Sequence, residues 1–257
     1  VAVEAVNAGG VPAEWTSTPD AAADRAVLYL HGGGFMIGSL VSHRHMVCEV
    51  GRAARARTLA LHYRLAPEAP FPAAVEDAVS GYRYLIAGGF QPGRIALAGD
   101  SAGGGLVVSA LVAIRDAGLP QPVCAWCISP WVDMEAIGAS MVDRAATDPT
   151  VQKAPLLDMA RAYLNGADPR SPLATPLYAD LRGLAPMLIQ VGSVETLLDD
   201  ALRLARGAGM ADVPVDLQIW PEMIHVWHFY HPELKAGRRA IEVGGDFIRG
   251  MMGGRTR

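Results

Sequence analysis

The residue with the clearest chemical context is Ser101, in Gly99-Asp100-Ser101-Ala102-Gly103-Gly104-Gly105, between the apolar run Ile95 to Ala98 and the helix-like run Leu106 to Ala117. This is Gly-x-Ser-x-Gly in a strand-turn-helix setting, where a sharp, strained turn lifts the hydroxyl clear of the sheet as a nucleophile. The flanking glycines let strand and helix approach closely. The helix N-terminus behind the serine adds partial positive charge where an oxyanion would develop. The plain alternative is a phosphate cradle. It is weakened because glycines at 99, 103, 104 and 105 do not make Gly-x-Gly-x-x-Gly and no Lys-Ser/Thr pair follows.

A second motif agrees with the first. His31-Gly32-Gly33-Gly34-Phe35 directly follows the apolar run Ala26 to Leu30. A glycine run lets main-chain N–H groups approach a substrate oxygen without interference from side chains, which is what an oxyanion loop requires. His31 sits at the base of that loop and precedes the serine, so it reads as a loop anchor and not as the base. A serine nucleophile also needs a histidine and an acid, and three of each compete. After the run Met187 to Val191 stand Glu195, Asp199 and Asp200; after Val215 to Trp220 stand His225, His228 and His231. Carboxylates here could equally serve as favourable charge at a helix N-terminus. Histidines at i, i+3 and i+6 could share a helix face and hold a metal. No carboxylate lies at metal-like spacing beside them, and His228 and His231 read as surface or cap-facing residues.

Those residues need a scaffold, and the chain supplies one. Six short β-rich runs (Ala26 to Leu30, Thr58 to His62, Ile95 to Ala98, Val123 to Ile128, Met187 to Val191, Val215 to Trp220) alternate with helix-like stretches, and Val1 to Val6 could add a strand. That alternation predicts an α/β fold with a mostly parallel sheet covered on both faces by helices. Residues 133 to 176 break the rhythm with turn signals and a helical pattern at Leu156 to Leu164 but no strand. In an open α/β sheet the site lies beyond the carboxyl ends of the strands, so this insertion either caps the site or is a structural excursion.

Composition sets the outer bounds. With 257 residues, a net charge of -4 and no block of like charge, the chain suits one domain and a small neutral ligand, with no footprint for nucleic acid. No run is long and apolar enough for a membrane span, and no signal segment precedes the fold, so it reads as soluble and cytoplasmic. Cys48, Cys124 and Cys127 are too few for a disulfide framework. Cys124 and Cys127 have redox-like spacing, but on a strand they would face opposite ways.

On both glycine motifs, on Tyr63-Arg64-Leu65-Ala66-Pro67-Glu68 with Phe71-Pro72-Ala73-Ala74, and on Asp168-Pro169-Arg170-Ser171-Pro172-Leu173, the chain resembles the bacterial hormone-sensitive-lipase-like esterases of the α/β-hydrolase superfamily. The resemblance covers nearly the whole chain. It implies an eight-stranded sheet, a helical cap, a serine carboxylesterase acting on short to medium acyl esters, and no cofactor or metal. It assigns the oxyanion donors to the amides of Gly33, Gly34 and Ala102. Aligning Leu197 with the leucine of the family's Asp-Pro-Leu-x-Asp makes Glu195 the catalytic acid, a glutamate where the family usually has aspartate. The family's methionine-histidine pattern points to His225 as the base. Relatives often dimerise, though nothing in the chain requires a homodimer. Family members usually carry several dozen residues before the glycine loop; with 30 here, the N-terminal part of the cap is expected to be absent or truncated.

The motifs leave rivals open. The same triad could cleave an amide, a carbamate or an acetylated sugar. A ligand receptor on this fold, as in plant gibberellin receptors, is disfavoured by the histidine at the matching place. From sequence order, Phe35, Met36, Trp131, Trp227 and Phe229 are candidate pocket residues, although each type more often packs a core.

Overall fold

A strand buried on both faces reads as a nearly continuous apolar run, and such stretches form the centre of the molecule: the Ala26 to Leu30 half of β3 (Ala22–Leu30), β5 (Ile95–Asp100), β6 (Cys124–Ile128) and β7 (Met187–Gly192). The computed structural model describes residues 1–253. With β4 (Ala56–Leu61), β8 (Val215–Trp220) and the N-terminal β1 (Ala2–Ala8) and β2 (Val11–Ser17), these strands make one sheet of order β1-β2-β4-β3-β5-β6-β7-β8. Pairings from β4 through β3 to β8 are parallel, whereas β1 with β2 and β2 with β4 are antiparallel. The expected eight-stranded, mostly parallel sheet is present. The strand expected near Val1 to Val6 is β1. The apolar alternation of β2 is obscured in the sequence by Pro12 and Glu14, and this strand was not expected; Glu14 is buried there because the Arg44 guanidinium forks onto its carboxylate, with both contacts at 2.7 Å.

Helices cover both faces. Helices α1 (Leu40–Ala54) and α7 (Lys235–Met252) bury Val47, Val50, Ile241 and Ile248 against one face. On the other face lie α2 (Ala73–Ala87), α3 (Ala102–Asp116) and α6 (Leu198–Met210), which contribute Tyr82, Leu106, Val107 and Leu204. Helix α3 is apolar nearly all round, as a helix sunk into the core must be. Cys124 packs into the first of these clusters and Cys127 into the second, so the two sulfurs are separated by the sheet. Between β6 and β7 the chain makes the short α4 (Ser140–Asp143), α5 (Lys153–Leu164) and a single 3-10 turn (Pro176–Tyr178), with no strand. Among the described residues, no helix is long and apolar enough to cross a membrane.

Candidate active site

Ser101 is the pivot between β5 and α3. Its backbone is left-handed at φ 55°, a conformation that costs a residue with a side chain about 1–3 kcal/mol. Two main-chain bonds help offset that cost: Ser101 N–H donates to the Ile128 carbonyl at 2.8 Å, and Trp131 N–H donates to the Ser101 carbonyl at 2.9 Å. Gly103 has to be glycine, because a Cβ there would overlap the carbonyl oxygen of Leu30. The turn is therefore tied to the ends of β3 and β6 rather than left to its own preference.

The partners of Ser101 come from the ends of the last two strands, β7 and β8. His225 follows β8, and its Nε2 lies 2.9 Å from Ser101 Oγ, accepting the hydroxyl proton. Its Nδ1 lies 2.8 Å from Glu195 Oε2. A carboxylate only accepts, so Nδ1 carries the hydrogen and Nε2 is the free base. Glu195, in the loop after β7, is wholly buried, and its other oxygen accepts from Ser129 Oγ at 2.7 Å and from Gly192 N–H at 2.6 Å. Burial pushes His225 downward, but its hydrogen bond with Glu195 and that carboxylate's charge, with Asp148 and Asp100 behind, outweigh it and raise the imidazole above 6.5.

The competing residues go elsewhere. Asp199 Oδ2 accepts from Ser140 N–H at 2.9 Å, and Asp200 Oδ2 accepts from Val132 and Asp133 N–H at 2.9 and 3.0 Å. Both lie in the first turn of α6, as read from the sequence, but burial pushes the Asp200 carboxyl up to about 8. His228 is a correction: it is wholly buried rather than at the surface, bonded through Nε2 to Gln190 at 2.9 Å, and lowered to about 3 by burial. His231 meets His45 at 2.8 Å. The three histidines diverge, and no group of three or more metal-binding side chains occurs among the described residues.

The glycine loop lies across from the serine. Gly33 and Gly34 have φ of 120° and 63°, and a Cβ on Gly34 would overlap the sulfur of Met159. Among the described residues, nothing accepts a hydrogen bond from the N–H groups of Gly33, Gly34 or Ala102, which leaves all three donors available. His31 anchors the loop as expected: its Nδ1 lies 2.8 Å from the Gly32 carbonyl, its ring stacks on Tyr63 at 4.4 Å, and Tyr63 Oη donates to its carbonyl at 2.6 Å. Asp100 completes the support by accepting from Gly32 N–H at 3.1 Å and from Tyr29 Oη at 2.8 Å.

Gly33, Gly34, Ser101 and His225 line one cavity of about 350 Å³, within the range of small-molecule sites. Its walls are largely apolar: Ile37 and His43 near the loop, Phe229 and Tyr230 beyond the histidine, and Val151, Leu156 and Met159 from residues 133 to 176. Three pocket candidates need correction. Phe35 turns into the core at φ 61° and stacks on Tyr163 at 3.9 Å, Trp131 donates its Nε1–H to the Asp133 carbonyl at 2.9 Å, and Trp227 is fully buried. Phe35 and Trp227 lie close to site residues in sequence and Trp131 follows the end of β6, but all three point inward; of the aromatic candidates only Phe229 reaches the cavity. The wall residues of α5 were not among the candidates, although Leu156 and Met159 at i and i+3 were a usable signal.

The whole arrangement has counterparts. Residues 27–229 match a family model described as the alpha/beta hydrolase fold. The chain is 55% identical over 246 residues to an acetyl-hydrolase of Streptomyces hygroscopicus, covering 96% of this chain and 82% of that one. It is 32% identical over 252 residues to the esterase LipU of Mycobacterium tuberculosis, covering 95% and 82%. The crystal structure of an esterase from the bacterial hormone-sensitive lipase family superposes with a TM-score of 0.97 at 53% identity, over 98% of this chain and 84% of that one. The crystal structure of EstE5 soaked with p-nitrophenyl butyrate superposes with a TM-score of 0.97 at 49% identity, over 98% and 85%.

Proposed function

The chain belongs to the α/β-hydrolase fold family and is a carboxylic-ester hydrolase of the bacterial hormone-sensitive-lipase type, and on that premise we propose that Ser101, His225 and Glu195 hydrolyse short acyl esters through an acyl-enzyme. His225 Nε2 takes the hydroxyl proton as Ser101 Oγ attacks the ester carbonyl. The amides of Gly33, Gly34 and Ala102 bind the oxygen as it becomes negative, and in acyl transfer stabilisation of this kind often contributes more to the rate than any other single effect. His225 then protonates the leaving alcohol. Water enters, gives its proton to His225 and attacks the acyl-serine, which releases the acid and restores the serine. Glu195 holds the Nδ1–H tautomer and balances the imidazolium in both halves.

The observation that carries this reading is the unbroken path from Ser101 Oγ through His225 to Glu195, at 2.9 and 2.8 Å. A short acyl group is favoured by the cavity of about 350 Å³ and by the acetyl-hydrolase among the relatives. On the same reading, residues 133 to 176 act as a cap, since Val151, Leu156 and Met159 face the serine across the cavity.

The test is turnover of p-nitrophenyl esters from acetate to palmitate by the natural chain, Glu195→Ala and Asp199→Ala. Glu195→Ala is expected to lose about 10⁴-fold in kcat, as when an acid partner is removed from such a triad. Asp199→Ala is expected to keep kcat and lose about 1 kcal/mol of stability, because only the Ser140 amide is left without its acceptor. A collapse in Asp199→Ala with Glu195→Ala still active would move the acid; no turnover of any ester would move the bond cleaved to an amide or carbamate.

A further inference from the structure

Ser129, the residue after β6, is used by no step above, yet it touches both loops that carry the catalytic partners. It is wholly buried, with a left-handed backbone at φ 44°, and its N–H donates to the Gln190 carbonyl at 2.7 Å, extending the β6–β7 ladder by one bond. Its hydroxyl has one hydrogen to give and lone pairs to receive. The hydrogen goes to Glu195 Oε1 at 2.7 Å, and a lone pair accepts the N–H of Val226, the residue after His225, at 3.2 Å.

We propose that Ser129 is a positioning residue for ester hydrolysis, its hydroxyl fastening the Glu195 carboxylate and the His225 loop to each other and to the end of β6. This rests on the Ser101-His225-Glu195 assignment. Glutamate reaches the imidazole through one more rotatable bond than aspartate would, so the carboxylate must be oriented from outside. Two donors do so at Oε1, Ser129 Oγ and Gly192 N–H, leaving Oε2 to face Nδ1 of His225. The Gly192 amide fixes the carboxylate only relative to its own loop. Ser129 alone also holds the histidine loop, through Val226, which is itself left-handed at φ 47°. The two loops also meet directly, Glu222 N–H donating to Ser193 Oγ at 2.9 Å and Val194 N–H to the Met223 carbonyl at 3.4 Å, but only the Ser129 hydroxyl bonds the Glu195 carboxylate itself and the residue next to His225. Without it the carboxylate and imidazole lose their shared support, and a misplacement of about 1 Å at such a site can cost about a hundredfold in rate.

The position has two separable duties, a strained backbone and a hydroxyl, and glycine keeps the first while deleting the second. Ser129→Gly, Ser129→Ala and Glu195→Ala are therefore assayed together with p-nitrophenyl butyrate and followed by thermal unfolding. Expected are a fall in kcat of about tenfold to a hundredfold in both serine variants with KM little changed. Ser129→Gly should unfold only several degrees lower, at about 2–4 °C per kcal/mol for the Val226 amide and Glu195 contact that lose their partner, and the far-downfield proton signal of His225 Nδ1–H should move or broaden. Because Ser129 acts largely through Glu195, the double variant Ser129→Gly with Glu195→Ala should lose clearly less than the product of the two single losses. Natural kcat in Ser129→Gly, or a loss of kcat that merely follows loss of folded protein, would overturn the proposal. Retained activity in Glu195→Ala would instead overturn the triad assignment, which separates the two failures.

Discussion

The strand ends and the cavity wall are built by different means. At the ends of β5, β6 and β7 the reacting groups are set by main-chain bonds such as Ser101 N–H to Ile128 and Ser129 N–H to Gln190, at 2.8 and 2.7 Å. The wall from residue 150 to 159 presents side chains instead, with Leu156 and Met159 on α5 facing the serine. Its attachment is polar: Asp148 accepts from the N–H groups of Thr150 and Val151 at 2.9 and 3.0 Å, and from Thr196 N–H at 2.9 Å beside Glu195. A backbone-set geometry has little freedom to vary without losing chemistry. The wall is also packed into the core through Leu156, Ala160 and Tyr163, but the rotamers it turns to the cavity can change its shape while the chemistry persists.

Three experiments would break or sharpen that contrast. Ser101→Ala removes the nucleophile and should cost on the order of 10⁶ in kcat, as for other serine triads, while thermal unfolding stays unchanged or rises because a strained position keeps its backbone bonds. A marked drop in unfolding temperature would mean that the hydroxyl, and not the main chain, holds the turn.

Next in size is pH. His225 works as a base only when neutral, and its contacts raise it above 6.5. Activity should therefore fall as the solution is acidified through a midpoint above 6.5, and Glu195→Gln, which deletes the charge, should move that midpoint down. A midpoint at or below 6.5 in the natural chain would contradict the electrostatics of the strand ends.

The smallest effect belongs to the wall. Met159→Ala should leave acetate turnover nearly intact and raise kcat/KM for longer acyl chains by about tenfold, the scale of one or two methylenes in a pocket. An equal loss on every chain length would show that Met159, through its contact with Gly34, sets the oxyanion loop as well as the wall.

What could be read beforehand follows the same division. The Ser101 turn and the glycine loop are local backbone devices, so short motifs reveal them. Choosing Glu195 over Asp199 and Asp200 needed the family resemblance, because burial and partners decide among neighbouring carboxylates and neither is local. Phe35 and Trp131 were misplaced for a related reason: nearness in sequence to a loop says nothing about which way a ring turns, and φ 61° at Phe35 sends it toward Tyr163. Ser129 carried no signal at all. A lone serine between Ile128 and Pro130 gains meaning only when two distant loops arrive on its hydroxyl.

The two cysteines of β6 have a use that their spacing alone would not suggest. Burial pushes each thiol up to about 12, so neither reacts until its surroundings open. Since Cys124 belongs to the α1 and α7 side and Cys127 to the α2, α3 and α6 side, a thiol reagent reaching one and not the other would tell which face of the sheet had opened. One strand thus carries a separate reporter for each layer of the protein.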